Sequence, residues 1–205
     1  MYHKFFKRFF DIAVSFCALV VLAVPMLIFS IVIKLDSKGP AIFWQKRVGI
    51  HKEIFLMPKF RSMYTETPAE MPTHLLNNPD RWISPVGRVI RKLSIDELPQ
   101  IWCIFTGKMS FIGPRPALWN QFDLIEERDK YGANDIRPGL TGWAQINGRD
   151  ELEIAEKAKL DGEYVKNMSF LFDCKCFFGT ITSVLKSDGV VEGGTGQLEK
   201  EKKEQ

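Results

Sequence analysis

The segment Ile12–Ile33, IAVSFCALVVLAVPMLIFSIVI, contains no charged residue and decides the fold at the N-terminal end of the chain. At about 1.5 Å rise per residue, a helix of this length extends about 33 Å, enough to cross the roughly 30 Å hydrocarbon core of a bilayer. A cleaved signal peptide would have a shorter apolar region, of about 7–15 residues, and a small-residue cleavage site. Lys34 follows the run without such a site. We therefore predict a retained helix that enters the membrane.

Basic residues flank this apolar segment on both sides. Lys4, Lys7 and Arg8 precede it, and basic residues outnumber acidic ones between Lys34 and Arg61. Because basic flanks favour the cytoplasmic side, a simple span cannot satisfy both ends. Pro25 removes a backbone donor and kinks a helix, so a re-entrant helix that enters and leaves on one side is favoured slightly over a kinked span.

The rest of the chain predicts a small domain of mixed structure. Alternating residues at 41–49 and 52–63 predict short strands. The amphipathic segments 81–93 and 98–107, the polar segment 154–168 and the Phe-rich segment 169–189 predict helices. The last of these helices suits the membrane interface and the protein core about equally. Residues 64–80 and the Gly/Pro-rich segments 110–122 and 135–152 are predicted to be loops.

These patterns define a fold class and three regions. The predicted class is α+β, mainly helical, with short strands and interfacial amphipathic helices. Residues 1–35 form the re-entrant membrane helix, 36–192 a catalytic domain at the cytoplasmic face, and 193–205 a disordered tail.

Composition excludes some functional classes. The net charge of +3 comes from 28 basic and 25 acidic residues, which gives no indication of a nucleic-acid partner. The four cysteines have no zinc-type spacing, and Cys174 and Cys176 are joined by neither a second pair nor a nearby histidine. Reduced thiols packed among apolar residues are the simpler interpretation.

The segment Ser94–Gln100, SIDELPQ, places two acidic residues at the start of an apolar helix. Ser94 and Glu97 match the S-x-x-E capping box, which is a purely structural interpretation of Glu97. Asp96 lies in the same first turn, where the helix dipole favours its ionised form. The two carboxylates point in different directions and suit different roles: a nucleophile, and a metal ligand or base.

Several cations have positions that suit phosphate binding. An arginine in a loop stiffened by proline or glycine presents a fixed fork for bidentate contact with phosphate. Carboxylates and arginines beside a membrane indicate Mg²⁺ and a diphosphate, because Mg²⁺ prefers one or two carboxylates together with substrate phosphates. Asp96 and Glu97 are the catalytic and metal-binding candidates. The phosphate- or substrate-binding candidates are Lys59, Arg61, Arg88, Arg115, Arg137 and Arg149.

The motifs KRFFDIAVSF, KLDSKGPAIFWQKRVG, KFRSM, SIDELPQ, GKMSFIGPRP and RPGLTGWAQINGR occur in this order along the chain. Together they resemble the bacterial sugar transferases, the monotopic phosphoglycosyl transferases, from about Lys7 to Gly189. The multi-span N-terminal region of larger members is absent from this resemblance, which is therefore to the minimal catalytic form.

The resemblance implies transfer of a sugar 1-phosphate from a UDP-sugar to undecaprenyl phosphate, or another polyprenyl phosphate, with release of UMP. It implies that Asp96 attacks the β-phosphate to form a covalent phosphosugar, that Glu97 binds Mg²⁺ or activates the lipid phosphate, and that Arg115 binds phosphate. It also implies a re-entrant helix kinked at Pro25 in the bacterial inner membrane, and a product that initiates capsule, exopolysaccharide or O-antigen synthesis.

Two rival functions use the same residues. One is a Mg²⁺-dependent phosphatase or pyrophosphatase acting on lipid-linked or nucleotide substrates. The other is a membrane-anchored scaffold in which SIDELPQ only caps a helix. Neither the sugar nor the oligomeric state follows from the sequence, and a homodimer is one alternative.

Overall fold

A computed structural model of the chain describes residues 2–67, 78–148 and 152–186. As predicted, it is mainly helical with small sheets. The helices are α1 (Lys7–Asp36), α2 (Pro85–Lys92), α3 (Ile101–Phe105), α4 (Phe122–Asp129), α5 (Trp143–Ile146), α6 (Ile154–Asn167) and α7 (Phe170–Lys186). The strands are β1 (Ile42–Val48), β2 (Ile54–Phe60), β3 (Ser110–Ile112) and β4 (Gly139–Thr141). The predicted tail, 193–205, lies outside the described residues.

Helix α1 is the long apolar helix that the sequence predicts. It contains 30 residues and is long and apolar enough to cross a membrane. Pro25 lies inside it, and Ser30 nearby donates its hydroxyl to the carbonyl of Met26 at 2.8 Å. The side chains around Pro25 are open to the surroundings, with Val21 72% and Val24 66% exposed. Water does not favour such a surface, so its exposure fits a lipid environment.

Both ends of α1 pack on the same domain. Near the start, the Arg8 guanidinium donates to the carbonyls of Ile104 and Phe105 at the end of α3. Near the other end, Ile33 is buried in a cluster with Phe60 of β2 and Ile90 of α2. The helix therefore leaves the domain only around its middle.

The two predicted strands form an antiparallel hairpin. In its register Lys59 stands opposite Phe43, and Pro58 stands opposite Trp44. Proline is tolerated here because a two-stranded sheet consists entirely of edge strands. Phe55 and Met57 of β2 pack with Cys103, Ile104 and Met109, which fixes the hairpin on α3.

The segments predicted to be continuous loops contain regular structure. Residues 110–122 include β3, and residues 135–152 include β4 and α5; β3 and β4 pair in parallel. Glycines allow this close approach. A Cβ atom at Gly139 would lie 2.1 Å from the backbone nitrogen of Gly113. A Cβ atom at Gly142 would lie 2.1 Å from the carbonyl oxygen of Gly113. The loop prediction was wrong for these two short strands, because the glycines in them allow the two backbones to pack closely.

Helix α7 has two different apolar faces. One face packs on the domain, where Cys176 is fully buried with Tyr164 of α6. The opposite face is exposed, including Leu171 at 79% and Phe178 at 64%. All four cysteines are free; Cys103 and Cys176 are buried as predicted, whereas Cys17 is exposed and Cys174 is half-buried.

Candidate active site

Three chain segments bring the predicted carboxylates and cations together. Strand β2 carries Lys59, a 3₁₀ helix at Ile95–Gln100 carries Asp96 and Glu97, and the turn after β3 carries Arg115. Strand β2 packs directly on the 3₁₀ helix. Ser94 turns the chain between α2 and this helix with φ 54°, in the left-handed region.

The predicted capping box is not formed. Ser94 occupies the cap position, but its side chain accepts no capping hydrogen bond. The Glu97 carboxylate faces Lys59 and Arg115 instead of the Ser94 backbone. A carboxylate bound by two cations is stabilised more strongly than one bound by a neutral N–H, so the ion pairs determine where Glu97 points.

Glu97 is the anionic centre of a partly buried ion network. Arg115 binds it with both terminal nitrogens: Nη2 contacts Oε1, and Nη1 lies 3.4 Å from Oε2. Lys59 Nζ lies 3.3 Å from Oε1, and the side chains of Lys59 and Glu97 are only 16% and 14% exposed. Burial lowers the pKa of the Lys59 ammonium, and the adjacent Glu97 carboxylate opposes that shift. Glu97 therefore holds both cations beside Asp96.

Asp96 has a pKa raised to about 6, chiefly because burial disfavours the carboxylate. Lys59, Arg91 and Arg115 oppose the shift, and the negative charge of Glu97 adds to it. The expectation that the helix dipole favours ionised Asp96 is therefore wrong in its net sign. Desolvation of the partly buried side chain outweighs the weak field of a short 3₁₀ turn.

The structure selects Arg91 over Arg88 as the α2 arginine that acts on Asp96. Arg91 is among the groups that lower the Asp96 pKa, whereas Arg88 is exposed and is not among its principal causes. Arg88 was predicted to bind phosphate or substrate, and that assignment stays a prediction; Arg91 was not among the predicted site residues. The sequence shows both arginines upstream of Asp96 and does not distinguish them.

Arg61 lies at the end of α1, where it has a structural role. Its terminal nitrogens donate to the carbonyls of Lys38 at 2.8 Å and Ser37 at 2.6 Å, with a further contact to Ile33. The side chain is buried. Its predicted contact with a substrate phosphate does not fit this arrangement, because the guanidinium fork already binds the last carbonyls of the helix.

Arg137 and Arg149 are not part of the described cluster. Arg137 donates its Nε to the carbonyl of Gly107 at 3.0 Å and lies beside Arg8. This places it near the start of α1. Arg149 lies outside the described residues.

The carboxylates fit Mg²⁺ only in partnership with a substrate. Across the parts of the chain that the structure describes, no three histidine, cysteine, aspartate or glutamate side chains are grouped as a metal site. Asp96 and Glu97 supply two neighbouring carboxylates, and Mg²⁺ commonly binds one or two carboxylates with phosphate oxygens completing its shell. This donor set suits a Mg²⁺ ion that binds with a diphosphate, rather than a cage built by the protein alone.

Comparison with known proteins identifies the group to which this arrangement belongs. The family model described as bacterial sugar transferase matches residues 2–187. The chain belongs to the bacterial sugar transferase family. It is thus a transferase, and the matched range contains every candidate residue discussed above.

Individual members of the bacterial sugar transferase family show how this chain relates to longer ones. It is 39% identical to the uncharacterized sugar transferase EpsL of Bacillus subtilis, over 90% of this chain and 89% of EpsL. It is 40% identical to an undecaprenyl-phosphate glucose phosphotransferase of Komagataeibacter xylinus, over 85% of this chain but 35% of that protein. An undecaprenyl-phosphate galactose phosphotransferase of Salmonella typhimurium is 35% identical, over 91% of this chain and 42% of its own length.

Proposed function

We propose that this transferase moves a sugar 1-phosphate from a UDP-sugar to undecaprenyl phosphate and releases UMP. The observation that carries the proposal is Asp96, a partly buried carboxylate whose ionised form is favoured by the nearby charges of Lys59, Arg91 and Arg115. The names of the relatives from Komagataeibacter xylinus and Salmonella typhimurium, which are undecaprenyl-phosphate sugar phosphotransferases, support the acceptor.

In the first proposed step, a carboxylate oxygen of Asp96 attacks the β-phosphorus of the UDP-sugar. The bond from this phosphorus to the bridging oxygen breaks, and that oxygen leaves with UMP. Asp96 then carries the phosphosugar as an acyl phosphate. Lys59 and Arg115 flank the carboxylate, so their positive charges stabilise the negative charge that develops on the transferred phosphoryl group.

In the second step, a phosphate oxygen of undecaprenyl phosphate attacks the same phosphorus. The acyl phosphate bond breaks, and Asp96 is regenerated as a carboxylate while the lipid-linked diphosphate sugar departs. Two successive displacements let a soluble donor and a lipid acceptor use one site in turn.

Mg²⁺ would be held by Asp96 and Glu97 with the diphosphate oxygens, and it would supply positive charge that neutralises the donor. Glu97 has a second role that its contacts support directly. By binding both Arg115 and Lys59, it orients the two cations that face Asp96.

The packing of α1 supports a re-entrant membrane helix. Arg8, at one end, is bonded to α3, and Ile33, near the other, is buried against β2 and α2. A helix spanning the bilayer would separate these ends by the thickness of the membrane, yet one domain binds both. We propose that α1 bends at Pro25 and reverses within one leaflet, and that the domain lies on the cytoplasmic face of the inner membrane. The exposed aromatic face of α7 would then lie in the same interface.

The product would begin a lipid-linked glycan. Two relatives are named exopolysaccharide production protein ExoY, from Sinorhizobium fredii and Rhizobium meliloti, which supports an exopolysaccharide. Capsule and O-antigen follow the same chemistry.

A UMP-release assay with a panel of UDP-sugars tests this function. We expect UMP to form in stoichiometric amounts with the lipid product when undecaprenyl phosphate is present, and at most one equivalent per enzyme without it. Continuous release of free phosphate without acceptor would replace the proposal with the phosphatase alternative. The absence of UMP release across the panel would contradict the proposed reaction and favour the scaffold alternative.

A further inference from the structure

A cavity of about 470 Å³ lies at the opposite end of α1 from Asp96. Lys7, Arg8 and Asp11 of α1 line one side of it, and Ser110 of β3 and Arg137 line another. The 3₁₀ helix Ile95–Gln100, which carries Asp96, packs on the cluster around Ile33 through Ile95 and Leu98. None of Lys59, Asp96, Glu97 and Arg115 lines this cavity, so it is distinct from the proposed catalytic site.

Two arginines meet at one backbone turn on the wall of this cavity. Arg8 donates Nη1 to the carbonyl of Ile104 at 2.6 Å and Nη2 to that of Phe105 at 2.8 Å. Arg137 donates Nε to the carbonyl of Gly107 at 3.0 Å. The guanidinium groups are close enough to repel each other. Two like charges held side by side destabilise the fold unless an anion lies between or beside them.

The acidic groups nearby are largely committed to other partners. Asp173 accepts a hydrogen bond from Lys7 at 2.6 Å, and Asp135 lies 3.3 Å from His51 at the exposed rim. Asp11 accepts from Ser110 and from the backbone of Phe111, both at 3.1 Å, and offsets part of the Arg8 charge. Among the described residues neither Arg8 nor Arg137 forms an ion pair with a carboxylate.

Arg137 is the group that can bind a ligand here. Its Nε is used by Gly107, while its two terminal nitrogens have no hydrogen-bond partner in the described ranges. A guanidinium with a fixed Nε and an open fork suits two-point contact with a phosphate. Ile112, Ile136 and Met168 add apolar surface to the cavity, and the exposed ring of Phe9 follows on α1.

We propose that this cavity is a second anion site, in which Arg137 and Arg8 bind a phosphate group at the base of the membrane helix. The group would come from the headgroup of an anionic phospholipid or from a free phosphate. Its binding would neutralise the arginine pair and fix the start of α1 on α3. The site is independent of the sugar-transfer reaction, because none of its residues belongs to the Asp96 cluster.

Hydrogen exchange of the full chain in lipid nanodiscs tests this site. Three conditions are compared: phosphatidylcholine alone, phosphatidylcholine with added inorganic phosphate, and phosphatidylcholine mixed with phosphatidylglycerol. We expect slower exchange in the segment 105–111, which carries the turn that both arginines bind. Protection by inorganic phosphate identifies a soluble anion as a ligand, and protection only with phosphatidylglycerol identifies a lipid headgroup. This segment does not include 94–100, so phosphate at the catalytic site is recorded separately.

Arg137→Gln provides the decisive comparison. The concentration of phosphate or the fraction of phosphatidylglycerol that gives half of the protection should rise about tenfold or more, because hydrogen bonds to a charged group are lost. Arg81→Gln is the matched control, since Arg81 is an exposed arginine on the segment Pro79–Trp82 and should leave the protection unchanged. Unchanged exchange in α6 shows that the variant is folded, and if Arg137→Gln fails this criterion, Arg137→Lys keeps the charge without the fork and should still weaken protection. The proposal is overturned if neither inorganic phosphate nor phosphatidylglycerol slows exchange at 105–111. It is also overturned if the folded Arg137 variant shows the same protection as the wild type.

Discussion

Glu97 and Arg115 face each other through two contacts, with Arg115 Nη1 3.4 Å from Oε2 and Nη2 against Oε1. Lys59 binds the same Oε1 at 3.3 Å. The neighbouring Asp96 makes no side-chain hydrogen bond within the described parts of the chain. Two adjacent carboxylates thus have separate roles: Glu97 orients the cations, and Asp96 remains available for the substrate.

Asp96→Asn should remove turnover while the protein stays folded. An amide cannot form the acyl phosphate, and loss of a catalytic nucleophile reduces kcat by a factor of about 10⁴ or more. UMP release at saturating UDP-sugar measures this. Activity near that of the wild type would exclude Asp96 as the nucleophile.

The same substitution should stabilise the fold above pH 7. The folded-state pKa of Asp96 is raised to about 6 from 3.8, so the ionised carboxylate opposes folding once the pH exceeds both values. Removing the charge should increase the free energy of unfolding by about 1–3 kcal/mol at pH 8. The gain should disappear below about pH 4, where Asp96 is protonated in both states. Unfolding in detergent micelles at the two pH values checks the sign; a gain that persists at low pH would show that packing, not charge, is responsible.

Arg91→Gln should move the pH dependence of the first step to higher pH. Arg91 lowers the Asp96 pKa, so its removal leaves the carboxylate protonated to a higher pH. The acidic midpoint of single-turnover UMP formation, near pH 6 in the wild type, should rise. Arg88→Gln is the matched comparison on the same helix, because Arg88 is exposed and is not among the principal causes of the Asp96 shift. Equal shifts in the two variants would contradict the specific placement of Arg91.

Much of the fold follows from local sequence patterns. The apolar run before Lys34 gives α1, and the alternation around Lys59 gives the β1–β2 hairpin. The pairing of β3 with β4 does not follow, because it depends on Gly113, Gly139 and Gly142 meeting across a distance in sequence. In the sequence, short runs of glycine and proline indicate a turn as readily as a closely packed strand pair.

The candidate site is predictable in its residue types more than in its contacts. Asp96, Glu97, Lys59 and Arg115 do lie together. The influence of Arg91 on Asp96 and the binding of Arg61 to the carbonyl of Ser37 depend on how the folded chain brings these groups together. Both depend on tertiary structure, because a basic residue near a motif looks the same in the sequence whether it binds a phosphate or a helix terminus.

Glu97→Gln and Arg115→Gln should not be additive. Each single change leaves a partly buried charge with fewer partners and should destabilise the protein by about 1–3 kcal/mol. The double variant removes both charges, so its loss should be smaller than the sum by about 0.5–3 kcal/mol. Denaturant unfolding of the four proteins measures this coupling energy. Simple additivity would show that the two side chains do not depend on each other.

Arg61→Gln should lower stability without altering donor binding. Its guanidinium satisfies carbonyls at the end of α1, including that of Ser37 at 2.6 Å, so a loss of about 1–3 kcal/mol is expected. The KM for the UDP-sugar should stay within about twofold of the wild-type value, because the loss falls on folding and not on substrate contacts. Arg115→Lys is the contrasting variant, in which KM or kcat should change. A large rise in KM for Arg61→Gln, with stability unchanged, would restore the phosphate-binding role.

Cysteine labelling should place both ends of α1 on one side of the membrane. His3→Cys and Pro40→Cys are each introduced into a chain whose native cysteines, Cys17, Cys103, Cys174 and Cys176, have been replaced by alanine. Because Arg8 and Ile33 at the two ends both bind one domain, a membrane-impermeant maleimide should reach both positions in inverted vesicles and neither in sealed cells. Disruption of the membrane provides the control for reactivity. Labelling of the two positions from opposite sides would show that α1 spans the bilayer, and the contacts of one of its ends with the domain could not then exist in the membrane.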